Sequence, residues 1–113
     1  MSSDLPVQVR AAPEFQRRLR NLAKKYRQIR ADLQPVFEQL QVGNFVGDQI
    51  PGTGFTVLKV RVKNSAIQKG KSAGYRLIYQ VESPNSVLLL LIYSKLDQTD
   101  VTAEDIKAAI LQD

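Results

Sequence analysis

The sequence predicts an α+β domain in which helices pack on one face of an antiparallel sheet. Three observations predict it. Apolar residues recur every three or four positions from Phe15 to Leu40, then every two from Leu58. The later strands follow one another through turns, which argues for antiparallel neighbours. The chain has 113 residues with no composition shift or internal repeat. One domain over residues 1–113 is therefore expected, with one modest core.

Residues 1–4 read as a disordered tail, and Leu5, Val7 and Val9 alternate as in a short edge strand with Pro6 near its start. Phe15, Leu19, Leu22, Tyr26, Ile29, Leu33, Val36/Phe37 and Leu40 form one helical stripe. Pro13 suits an early helical position. Pro35 argues against a single rod, so two helices breaking near Tyr26–Ile29 are predicted, with Pro35 in or near the first turn of the second. Gly43 is the expected stop. "GDQIPGTGF" reads as loop. "TVLKVRVK" places Leu58, Val60 and Val62 on one face and Val57, Lys59, Arg61 and Lys63 on the other. "YRLIYQV" and "SVLLLLIYSK" read as strands joined by the turn "ESPNS". The second is apolar on both faces, the mark of a central strand. "DVTAEDIKAAILQ" reads as a short terminal helix capped by Thr102, with Glu104 and Asp105 in its first turn.

Composition removes several chemistries. The chain has no cysteine and no histidine, so disulfides, thiolate catalysis and the commonest general base are excluded. No metal constellation or close carboxylate pair stands out, and no cofactor is expected. The start lacks the pattern of a signal peptide. The longest apolar run, Val87 to Tyr93, is far short of the roughly 20 residues that span a bilayer. A cytoplasmic protein with no membrane partner is the expectation.

Net charge is +5 with a pI of about 9.7, which favours a polyanionic partner. No acid lies between Asp48 and Glu82, whereas Lys59, Arg61, Lys63, Lys69, Lys71 and Arg76 all do. A second basic cluster runs from Arg10 to Arg30, with Glu14 its only acid. That pattern suits a solvated helix face or a supporting nucleic-acid surface.

Side chains two apart on a strand project from one face about 6.5–7 Å apart, near the phosphate spacing of a nucleic-acid strand. Lys59, Arg61 and Lys63 have that spacing, and Arg76 follows on the neighbouring strand just after Gly74. A solvated sheet face would give the same alternation. The added Arg76, with no acid nearby in sequence, favours an anionic ligand. In "QKGKSAG", Gly70 and Gly74 free the backbone while Lys69 and Lys71 offer point charges for phosphate. The spacing of a nucleotide-binding P-loop is missing. Tyr75, Tyr79 and Tyr93 are candidates to stack on bases or, with rings in the core, to be structural.

"GDQIPGTGFTVLKVRVKNSAIQKGKSAGYRLIYQ", followed by "LLLLIYSK" and "DVTAEDI", resembles the RelE/HigB branch of type II toxin–antitoxin toxins. The elements GD-x-I-x-GTG, K-x-R, a basic loop leading to G-x-R-x-IY, then IY-x-K and D-x-T, keep a fixed order across roughly residues 47 to 110. The resemblance implies a RelE-like helical hairpin on a small antiparallel sheet with a short C-terminal helix. It implies an endoribonuclease that cleaves mRNA in the ribosomal A site. Its partners would be mRNA, the ribosome and a neutralising cognate antitoxin, with a homodimer or a toxin–antitoxin hetero-oligomer as the assembly. By position it assigns catalytic roles to Lys59, Arg61, Arg76 and Lys95. The basic face, the basic loop and the tyrosines make Lys63, Lys69, Lys71, Tyr75 and Tyr93 the candidate RNA contacts. Leu96 and Val101–Thr102 stand where well-known members carry an arginine and a functional tyrosine.

Cleavage by the neighbouring 2′-hydroxyl needs in-line geometry, removal of that proton and stabilisation of charge on phosphorus. Arg76 offers a bidentate clamp. Lys59, crowded by Arg61 and Arg76, is expected to have a lowered pKa and to accept the proton. A ribosome would supply the geometry that a minimal site lacks. Two rival readings remain: a ParE-like toxin that binds DNA gyrase without cutting RNA, and a non-catalytic RNA-binding relative suggested by Leu96 and Thr102.

Overall fold

The apolar stripe from Phe15 to Leu40 does form two helices, α1 (Pro13–Lys25) and α2 (Ile29–Gln41), in a computed structural model that describes residues 6–67, 73–97 and 100–112. Before them lies β1 (Gln8–Ala11); after them come β2 (Asp48–Gln49), β3 (Val57–Val62), β4 (Tyr75–Ser83), β5 (Ser86–Ser94) and α3 (Ala103–Gln112). Leu5 and the expected tail lie outside the described residues.

Pro13 opens α1, and the chain breaks at Tyr26, whose ring is buried and meets Tyr75 edge to face at 5.7 Å. Pro35 sits inside α2, beyond the predicted first turn. It removes one hydrogen bond to the carbonyl a turn earlier. Ile29, Leu33 and Leu40, all fully buried on either side of it, hold the helix against the sheet despite that loss. Gly43, at φ +86°, ends the helix: its N–H reaches Leu40 O (3.0 Å) and that of Asn44 reaches Gln39 O (2.9 Å).

The strand order is β1-β5-β4-β3-β2. β2–β3, β3–β4 and β4–β5 pair antiparallel, as turn-linked strands should. The sheet is nonetheless mixed, because β1 pairs parallel with β5. No turn joins these two; the helical hairpin and three strands intervene, so nothing forces them antiparallel. The two-residue β2 also falls within the stretch expected to be loop.

Helices cover both faces, where one was expected. Phe15, Tyr26, Ile29, Leu33 and Leu40 pack with Val62, Tyr75, Leu77, Tyr79, Val87, Leu89 and Ile92. On the other face Ile106 and Ala109 of α3 pack with Val57, Ile78, Leu88, Leu90, Leu91 and Tyr93. The cause lies in β5, whose apolar side chains point both ways and need two covers. A register shift between Ile78 and Tyr79, opposite Leu91 and Leu89, adds Leu90 to the second face and resets the alternation. Thr102 caps α3 as expected: its Oγ1 accepts from Asp105 N–H (3.1 Å), and Asp105 Oδ2 accepts from Thr102 N–H (3.0 Å).

Candidate functional site

α3 covers only part of the second face. Where its cover ends, the same alternation that sends Leu58, Val60 and Val62 toward the helical hairpin sends Lys59 and Arg61 the other way. Register brings Arg61 directly opposite Arg76, and Arg76 directly opposite Tyr93. One row along, Asp48 of β2 faces Lys59, which faces Ile78.

Two glycines make this closeness feasible. A Cβ on Gly74 would lie 2.1 Å from Val62 O, and one on Gly47 would lie 2.6 Å from Lys59 O. Gly47 also has φ +115°, a region L side chains rarely adopt. Lys95 joins through its backbone, whose N–H bonds Gly74 O at 2.9 Å.

The result is a cavity of about 440 Å³ lined by Asp48, Gln49, Ile50, Pro51, Lys59, Arg61, Arg76 and Lys95. All four residues with expected catalytic roles therefore line one concavity. Arg76 is only 6% exposed and donates from Nη1 to Tyr75 O at 3.2 Å. Like charges directly opposite on neighbouring strands oppose pairing, so the Arg61–Arg76 row works against stability.

Asp100, the first residue of the D-x-T element before α3, is a functional candidate to which the sequence assigned no role. Its Oδ1 accepts from Tyr93 Oη (2.9 Å) and Val101 N–H (2.8 Å), and lies 3.7 Å from Lys59 Nζ. The Val101 N–H bond, helped by Tyr93, Lys59 and Lys95 and opposed by burial, holds its carboxyl below the usual range. The crowding expected around Lys59 omitted this counter-charge and that of Asp48. Neither acid is near Lys59 in sequence, and both arrive only through folding.

The remaining assignments divide. Lys63 is exposed beyond the end of β3 and does not line the cavity. Lys69 and Lys71 lie outside the described residues. Tyr75 does not present a stacking face: it is fully buried on the helix side, and its hydroxyl has no hydrogen-bond partner among the described residues. Burial pushes its pKa up. Tyr93 is 3% exposed, so its ring is closed to a base as well. Burial and the Asp100 hydrogen bond raise its pKa, which leaves it a hydrogen-bond donor that orients Asp100. Tyr79 is structural: burial lifts its pKa to about 12, and its hydroxyl donates to Val46 O.

No protein-family model matches the chain, and no curated protein matches it. What can be said of the site rests on its own chemistry. Among the described residues no group of three or more metal-ligating side chains comes together, and no helix is long and apolar enough to cross a membrane. The cavity offers four cations to an anion, one of them a nearly buried arginine, with the Asp48 carboxylate in its wall and that of Asp100 3.7 Å from Lys59 Nζ. That combination can hold a phosphodiester and also take up a proton.

Proposed function

We propose that this protein is an endoribonuclease that cleaves mRNA, a toxin of the RelE/HigB type with a RelE-like fold. It acts in the cytoplasm with the help of the ribosome and is neutralised by a cognate antitoxin, alone or in a hetero-oligomer. The observation that carries the reading is the convergence of Lys59, Arg61, Arg76 and Lys95 on one cavity. Their mutual repulsion is relieved when a phosphate enters.

In this reading Arg76 and Arg61 grip the non-bridging oxygens of the scissile phosphate and stabilise the charge that builds on phosphorus. Asp100, oriented by Tyr93, takes the proton from the 2′-hydroxyl as its oxygen bonds to phosphorus. The bond from phosphorus to the 5′-oxygen breaks, leaving a 2′,3′-cyclic phosphate, and the Lys59 ammonium gives a proton to the departing 5′-oxygen. Proton acceptance thus moves from Lys59 to Asp100, because Lys59 has an acid beside it at 3.7 Å. Its low pKa makes Asp100 a weak base, so alignment of the RNA must contribute much of the rate. The ribosome supplies that alignment.

Primer extension on mRNA from a translating extract tests the reading. Codon-phased cuts that appear only with the protein present support it. Gyrase inhibition without cuts would replace it with the ParE-like reading. Between the two proton assignments, Lys59→Arg keeps most cleavage and Asp100→Asn loses most of it; the reverse pattern would restore Lys59 as acceptor.

A further inference from the structure

The cations of the Arg10–Arg30 cluster are not alike once their partners are known. Glu14 binds Arg17 (2.5 Å) and Arg18 (2.8 Å), and Asp97 binds Lys25 (2.8 Å). Arg20, Lys24, Arg27 and Arg30 are exposed around the end of α1 and the turn into α2, and no carboxylate among the described residues pairs with them. Arg20 and Lys24 are four apart on one helix, where like charges repel. The chain keeps this repulsion although glutamate at either position would relieve it.

The location adds a second observation. Asp97, which fixes Lys25 and accepts from Tyr26 Oη at 3.3 Å, lies two residues beyond Lys95, a cavity-lining residue. The end of α1 is therefore pinned to the same strand end that closes the cavity. Lys24 and Arg27 flank Lys25 and Tyr26 in the chain, the two residues that Asp97 holds.

We infer that the α1–α2 turn is a second RNA-binding surface, holding the phosphate backbone of the same strand whose scissile phosphate enters the cavity. The inference rests on the proposed function for the cavity end only. A single strand places successive phosphates about 6–7 Å apart, a spacing that side chains one helical turn apart can track. Arginine supplies three of these four charges, and its planar fork suits phosphate oxygens.

The test uses the full chain and fluorescently labelled 2′-O-methyl oligouridines, which lack the attacking hydroxyl and so report binding alone. A trinucleotide covers the cavity; a dodecanucleotide also reaches the turn. Lys24→Gln/Arg27→Gln is expected to weaken the dodecanucleotide roughly three- to tenfold at low salt, by the worth of exposed charge contacts. It should also flatten that ligand's salt slope by roughly 0.7 per lost contact. Trinucleotide affinity should not change. Equal effects on both lengths, or none on the longer one, would overturn the inference. So would loss of binding to a polyglutamate peptide with RNA binding intact, which would assign the turn to an acidic protein. Failure of the cavity reading has a different signature: Arg61→Ala would leave both oligonucleotides unaffected.

Discussion

The two faces of the sheet are made by the same three strands, yet they solve opposite problems. On the helix side Val62, Tyr75, Leu77 and Tyr79 are at most 4% exposed and interlock with α1 and α2. One residue over in each strand, Arg61 and Arg76 face each other across the open part of the second face. The first face stabilises the fold through apolar burial. The part of the second face that α3 leaves open gives up stability, since it opposes two guanidinium groups across neighbouring strands. Side chains that cost stability on a sheet otherwise built for it are best explained by what they bind.

The comparison predicts a graded set of effects. The largest loss of stability belongs to the closed face: Leu77→Ala, at a fully buried position, should cost about 2–5 kcal/mol in urea unfolding. A loss of no more than about 0.5 kcal/mol, the level of ordinary surface change, would show that this face is not the main core. Thr102→Ala should come next, at about 1 kcal/mol, by removing the cap of α3. Because Asp100 lies just before that cap, RNA cleavage should fall as well. Unchanged cleavage would separate α3 from the site.

Two tyrosines on the closed face should then respond differently. Tyr79→Phe removes a bonded hydroxyl and should lose about 1 kcal/mol. Tyr75→Phe removes a buried hydroxyl with no partner among the described residues, and should be neutral or slightly stabilising.

The smallest effect is electrostatic. Glu14, Glu82 and Asp100 all have pKa values lowered below their ordinary 4.5, 4.5 and 3.8. Arg17 acts first on Glu14, Arg10 on Glu82, and the Val101 N–H on Asp100. A lowered folded pKa adds stability that is complete above the unfolded value and lost as pH falls through the folded one. The urea midpoint should therefore drop as pH falls below about 5 and stay level from there to neutral pH. A midpoint that rose on acidification would contradict these ion pairs.

Much of this contrast was legible in the sequence. "TVLKVRVK" has a strict two-residue period, so the division of Lys59 and Arg61 from Leu58, Val60 and Val62 followed from geometry. The same rule should have separated Tyr75 from Arg76: neighbours on a strand face opposite ways, so both could not serve one site. Three features were not legible. The shift that adds Leu90 to the α3 face depends on pairing between strands. The place of Pro35 depends on packing strong enough to override its helix-breaking tendency. The approach of Asp100 to Lys59 joins residues forty-one positions apart, and nothing local announces it.

The account's central claim is that the arginine row serves a phosphodiester rather than the fold. Arg61→Ala tests it most directly, because Arg61 is exposed and its loss leaves no cavity in a core. Stability and mRNA cleavage should be measured on one preparation. Unfolding should move by no more than about 0.5 kcal/mol while cleavage falls roughly 10²- to 10³-fold. Cleavage at the wild-type rate, in a protein as stable as wild type, would contradict the account.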